Sequence, residues 1–309
     1  MNTSAEQATE VELIDEVAGV ETPFQRFVSD YCDNKIAVGA IVVLGIIVFI
    51  AIFAPLISPT DPFDLAVVSV LDSKLPPGSE SMDGVMFWLG TDGAGRDLLS
   101  AMFYGLRISL GVGVVSGIIA MCIGATIGLA AAYFGGRTDT LIMRLVDIQL
   151  SFPAILVALI FLAVLGKGVD KIIVALVVVQ WAYYARTVRG SALIERNKEY
   201  IEAATCLALS HKRIVFRHLL PNCLPSLIVV GTIQTAHAIS LEATLSFLGV
   251  GLPVSEPSLG LLISNGFDYM LSGKYWISFY PGVALLITIV TINLVGDQLR
   301  DVLNPRLQK

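Results

Sequence analysis

The chain has 309 residues, 55% of them hydrophobic, a mean hydropathy of +0.76 and only 15% charged, which excludes an ordinary soluble domain and describes a chain that crosses a bilayer several times. The net charge of -6 belongs to one end: residues 1–34 carry eight acids against Arg26 alone, while the remainder holds 19 basic and 18 acidic residues. That balance leaves no basic footprint for nucleic acid.

Residues 1–35 read as an acid-rich, disordered tail. It ends in PFQRFVSDYCDNK, expected to lie along the membrane surface as a helix. The first apolar run follows at 36–57. It starts behind acids, not bases, and outruns the roughly 7–15-residue apolar core of a cleavable leader, so it reads as a retained span. Pro55, Pro59 and Pro62 close it. A polar stretch fills 58–107, with Thr91 or Asp92 placed to cap a short amphipathic helix from Arg96 to Tyr104. Gly90 to Gly95 resembles a nucleotide loop only superficially, because it does not join a strand to a helix.

Span two covers 108–132 and carries two GxxxG pairs, Gly113 with Gly117 and Gly124 with Gly128, suited to close helix contact. Span three, 150–166, is entered through RTDTLIMRLVDIQLSFP, where Arg144 and Asp147 can meet on one helix face, as a local ion pair at the interface ahead of a substrate contact. Span four, 171–187, ends with Trp181, Tyr183 and Tyr184 at the depth of an interfacial aromatic belt. A polar loop occupies 190–222. Span five runs from Leu224 to Leu248 and span six over 279–296, leaving a closing tail at 300–309.

Backbone groups in lipid must be satisfied within each segment, so all six spans are helical. The expected fold is an all-α polytopic bundle, with a first helix, an outer loop and a five-helix core over 108–299. Six spans put both termini on one side. That side holds fourteen of the twenty Lys and Arg residues, which assigns it to the cytoplasm.

No GxSxG elbow, HExxH motif, histidine cluster or phosphate-cradling loop occurs, so no catalytic, metal or cofactor site is expected in this chain. Cys32, Cys122, Cys206 and Cys223 form no CxxC pair and read as reduced, non-ligand thiols. Within span five, the Glu242 carboxylate must bond a neighbouring helix or line a passage. His237 lies about 140° around the helix from it, too far for direct pairing. A membrane-embedded enzyme using Glu242 with His237 or Asp297 is one competing class, and a stand-alone receptor or channel is another.

The stretch YIEAATCLALSHKRIVFRHLLP, from Tyr200 to Pro221, organises the chain. Lys212, Arg213 and Arg217 would each be penalised by about 2.5–3.5 kcal/mol in the membrane core, so the segment is a water-facing insert. Ala203, Ala204 and Ala208 leave one side flat for close approach of another surface. It reads either as an ordinary loop helix or as a docking helix.

Glu202-Ala203-Ala204, the small Ala208 and the later Leu220-Pro221 resemble the EAA loop of ABC-importer permeases, whose usual glycine is Ala208 here. WLGTDGAGRDLLSAMFYGLRISL, EATLSFLGVG and the closing LVGDQLRDVLNPRL are similar to one branch of these proteins, the permeases of dipeptide, oligopeptide and nickel transporters. The resemblance covers about 34–309 and is closer to the second permease of each pair. It implies a type I importer fold with a cytoplasmic EAA coupling helix. Implied partners are a sister permease, two cytoplasmic ATPases that hold ATP and Mg, and an extracytoplasmic solute-binding protein. Glu202, Ala203, Ala204, Ala208 and Pro221 become the coupling motif. Thr91, Asp92, Gly95, Arg96 and Asp97 become an outer-loop motif. The implied cargo is a peptide, with nickel chelates or other small solutes as the alternative.

Overall fold

A computed structural model describes residues 22–64, 68–81, 84–253 and 256–303; the acidic stretch 1–21 and the closing 304–309 lie outside it. Helix α1 (Pro23–Cys32) opens on a capping box between Thr22 and Gln25. Helix α2 (Lys35–Ile57) is the first apolar run, capped by the Asn34 side chain. After a short hairpin of β1 (Ser79–Glu80) and β2 (Met86–Phe87) comes α3 (Leu98–Phe134). Then follow α4 (Gly136–Ser151), α5 (Ala154–Leu165), α6 (Val169–Arg196) and the short α7 (Glu199–Cys206). The chain closes with α8 (His211–Phe247), α9 (Leu259–Phe267) and α10 (Trp276–Leu303).

Five of these helices are long and apolar enough to cross a membrane, and the α4–α5 pair makes a sixth crossing only as a span bent by 89°. Pro153 causes the break. It cannot donate to the helix ladder and disfavours helical backbone at Phe152, which is extended. The 150–166 span is thereby corrected: its helical part, α5, covers about 18 Å, well short of the roughly 30 Å hydrocarbon layer.

The short helix expected from Arg96 to Tyr104 is not separate. Asp97 supplies the N-cap, and the first turns of α3 run without interruption into the span, giving a rod about 55 Å long. Asp147 pairs with Arg186 of α6, not with Arg144 of its own helix. A second pair, Asp139 with Arg189 at 2.5 Å, fixes the other end of α4 along α6. The aromatic belt is split as well: Tyr183 is exposed, whereas Tyr184 is wholly buried between helices.

At the centre, α3 lies against α6 and α8 packs over both, with α10 and α2 on the far flank. Glycine at 124 and 128 lets the α6 backbone into contact: a Cβ at either position would sit 2.4 Å from the carbonyl oxygen of Trp181 or Ala185. Below that seam Leu129, Tyr184, Val188, Ile201, Ile214 and Leu219 form one core, joining the spans to the insert. The turn between α1 and α2 is tied to α10, where Asn34 Nδ2 donates to Gln298 Oε1 at 2.8 Å.

Candidate functional site: the polar insert and the outer loop

Helix α7 is two turns long and buries one stripe. Ile201 and Ala204, three residues apart, point into the core beside Ile214 and Leu219. Glu202, Ala203, Cys206, Leu207 and Ala208 face outward. Ala204 is only 5% exposed, so it is a packing residue, not part of a docking face. Glu199 and Glu202 fill the first turn, where acids complement the helix dipole.

The helix ends in a Schellman motif. The Ala208 N–H donates to the Thr205 carbonyl at 2.9 Å, and the Leu209 N–H to the Ala204 carbonyl at 3.2 Å. Ala208 has φ +51°, the left-handed region that costs an L-residue about 1–2 kcal/mol and glycine little. Leu209 packs onto the core that contains Ala204, the apolar contact this cap usually brings. The glycine usual at this position in the resemblance thus has a backbone reason, and the departure at Ala208 stores strain, not merely an extra methyl.

A polar chain fixes α7 to the spans. Tyr200 donates to Glu195 Oε2 at 2.7 Å, and Asn222 Nδ2 donates to Tyr200 Oη at 3.2 Å and to the His218 carbonyl at 2.7 Å. Desolvation, then the bond to Glu195, pushes the Tyr200 phenol up to about 12. Pro221 is exposed on α8, just past a π-type turn over Ile214–Leu219 in which the Leu220 N–H reaches back to the Val215 carbonyl. The wide turn suits a position where Pro221 has no N–H to give. Beside α7 lies a groove of about 590 Å³ lined by Tyr133, Phe134, Arg196, Glu202, Cys206 and His211. Tyr133 Oη and His211 Nδ1 bridge it at 2.6 Å.

At the opposite end, the five outer-loop residues close a clasp. Thr91 Oγ1 donates to the Asp72 carbonyl at 2.6 Å and accepts from Leu75 N at 2.8 Å. Asp92 accepts from Ala94 N, Arg96 N and Arg96 Nε, the last at 2.7 Å. Gly95 has φ +86°, and a Cβ there would lie 2.1 Å from the Ser69 carbonyl oxygen. Asp97 accepts from the N–H and hydroxyl of Ser100, capping α3. Each residue has a structural partner, and together they tie residues 69–75 to the start of α3.

Glu242 and His237 part company. Glu242 is completely buried and accepts from Ser109 Oγ of α3 and Ser246 Oγ of its own helix, both at 2.8 Å. His237 is exposed on α8. Asp297 is exposed near the end of α10. No hydrogen bond links Glu242, His237 and Asp297, so these three form no nucleophile–base pair.

A family described as the binding-protein-dependent transport system inner membrane component matches residues 124–309, and the N-terminal transmembrane domain of oligopeptide transport permease C matches residues 22–77. The chain belongs to this permease family. It is 36% identical over 288 residues to the di/tripeptide transport system permease protein of Pseudomonas aeruginosa, covering 93% of each chain. It is also 36% identical over 276 residues to the oligopeptide transport system permease protein of Bacillus subtilis, covering 89% of this chain and 87% of that one. The glutathione transport system permease protein of Pectobacterium atrosepticum is 34% identical over 292 residues, with 94% and 93% covered. A solved structure of the methionine ABC transporter MetNI in an inward-facing conformation shares the fold, with a TM-score of 0.55 over 67% of this chain and 98% of that one, at 23% identity.

The permease is therefore a transport component of the ABC-importer family and not an enzyme, and it spans the membrane several times. Of the residues that the resemblance assigns to a coupling motif, Glu202, Ala203 and Ala208 share the outward side of the insert, Ala204 is inward and Pro221 sits on α8. The sequence reading missed Tyr200, Glu195 and Asn222. Their signal was weak, because the bonds connect three helices. Relieving the cap strain should be measurable: Ala208→Gly is expected to stabilise the insert by about 0.5–1 kcal/mol, read as slower amide exchange over residues 199–209. Unchanged or faster exchange would show that the left-handed turn is not strained.

Proposed function

We propose that this permease forms half of the translocation path of an ATP-driven peptide importer and takes its drive through α7. It pairs with a sister permease, receives peptide from an extracytoplasmic binding protein, and is moved by two cytoplasmic ATPases that hold ATP and Mg. It resides in the bacterial cytoplasmic membrane. The majority of its basic residues lie on the side of the insert, which favours cytoplasmic termini and a cytoplasmic α7. The di/tripeptide, oligopeptide and glutathione systems named among its relatives support a short peptide as cargo.

One observation carries the reading of α7. A helix anchored on its inner side by Ile201 and Ala204 and locked by a Schellman cap holds Leu207 out at 75% exposure, beside Ala203 and Glu202. Ala203 and Ala208 on the outward side of this insert let another surface approach the backbone closely around Leu207, which supports a docking role. Alternating access needs rigid bodies moved by a load at one point, and α7 transmits such a load into the core through Ile201, Ile214 and Leu219.

Ala203→Trp tests this reading, because position 203 is exposed and the change leaves the core intact. In proteoliposomes holding the full complex, peptide uptake is expected to fall at least tenfold while the subunit still inserts. Normal uptake by Ala203→Trp would remove α7 from the drive. Ala204→Trp is a poorer probe, since it would overfill the core.

A further inference from the structure

Most open faces in the middle of this bundle are apolar. On α2 they present Ile46, Phe49 and Ile52; on α5, Leu156 and Ile160; on α10, Leu286 and Val290. Helix α8 differs. It is packed by α3, α6, α9 and α10, which bury Ala236, Ala238, Ile239, Glu242, Ala243 and Leu245. Leu224 and Ile228 are open towards its insert end and Phe247 at its far end, but between positions 229 and 246 the open residues are His237, Ser240 and Thr244, at the three- and four-residue spacing of one helix face.

Depth makes this stripe informative. His237 stands about 25 Å along the helix from Leu220 and about 15 Å from Phe247, near the middle of the crossing. Its imidazole has no hydrogen-bond partner among the described residues. A polar side chain at that depth facing lipid would be left without partners, so such groups face a bundle interior or a wet cavity. Thr126 of α3 is also open, but it lies nearer the insert end and returns its hydroxyl to the Cys122 carbonyl at 2.8 Å. Thr244 does the same towards the Ser240 carbonyl, which leaves the His237 imidazole and the Ser240 hydroxyl as the groups of the stripe with free hydrogen-bonding capacity.

We infer that the His237–Ser240–Thr244 stripe is this subunit's wall of the solute path, with His237 the side chain that meets the cargo. The inference rests on the importer reading given above. Imidazole and hydroxyl groups both donate and accept, which matches the alternating N–H and C=O groups of a short peptide. The buried Glu242, four residues from Ser246 on the same helix, holds α8 against α3 so that the stripe keeps its orientation.

The experiment uses the complete complex in proteoliposomes, with cysteine placed singly at positions 237, 240 and 244. Ser240→Cys is nearly isosteric and guards against misfolding. Modification by a membrane-impermeant methanethiosulfonate is measured as the increment over the parent, which has cysteines of its own. Ile160→Cys on α5 serves as the lipid-facing control. Each of the three positions is expected to react at least tenfold faster than Ile160→Cys, and excess trialanine presented with the binding protein is expected to slow them. Reactivity at Ser240→Cys no greater than at Ile160→Cys would overturn the inference and make the stripe a dry contact. Trialanine uptake by the unmodified complex is followed in parallel: rapid labelling without uptake would count against the peptide-import reading while leaving the wall in place.

Discussion

Replacing Gly124 or Gly128 with leucine is expected to separate the two central helices and leave little folded subunit in the membrane. The obstacle is backbone, not the tip of a side chain. At position 124 a Cβ would meet the Trp181 carbonyl oxygen at 2.4 Å and the Ala185 nitrogen at 2.9 Å; at position 128 it would meet the Ala185 carbonyl oxygen at 2.4 Å. Neither α3 nor α6 can yield locally, so the seam must open by more than an ångström along the core that carries α7. Overpacking of this kind costs about 1–3 kcal/mol where side chains can shift, and more where backbones meet. Gly111→Leu is the matched control, since nothing lies within 4 Å of a Cβ there. Monodisperse recovery in detergent should collapse for the first two variants and stay at parent level for the third. Equal recovery of all three would mean that the α3–α6 contact is looser than described.

Glu242→Ala comes second in expected effect. The carboxylate is shut off from solvent and takes hydrogen bonds from Ser109 and Ser246. Removing it leaves two hydroxyls without their acceptor and opens a void between α3 and α8. The expected loss is about 2–4 kcal/mol, seen as a lower melting temperature of the detergent-solubilised complex. Glu242→Gln keeps one acceptor oxygen and the side-chain volume, so about 1 kcal/mol is expected. If the alanine variant melts with the parent, the serine–glutamate contact is not holding these helices. A loss of transport by Glu242→Gln at full stability would move the residue from scaffold to path.

Much of this fold was legible because lipid removes choices. Apolar runs near Ile36, Ser109, Leu224 and Phe279 had to become helices, and they did. The exception is instructive. Pro153 was visible in the sequence, yet the 89° turn it permits depends on α5 finding a seat against Ile172 and Leu176 of α6. The same limit explains Asp147, for which a local rule offers Arg144 while the fold offers Arg186. At the insert, spacing alone could not tell which alanine of Glu202-Ala203-Ala204 faces the core. Two turns of helix bury a single stripe, and Ile201 decided that it runs through Ala204. The angular argument separating His237 from Glu242 succeeded because it concerned one regular helix, where geometry is fixed by the backbone.

Helix α3 begins at the Asp97 cap, beside the Asp92–Arg96 clasp, and ends at Phe134, in the wall of the groove that flanks α7. A continuous helix is stiff along its axis and is here gripped by α6 for much of its length. Any displacement of α3 along its axis at the Phe134 end would therefore carry the clasp at the Asp97 end with it, without a relay of small side-chain adjustments in between. The clasp and the groove wall are the two ends of one rigid element.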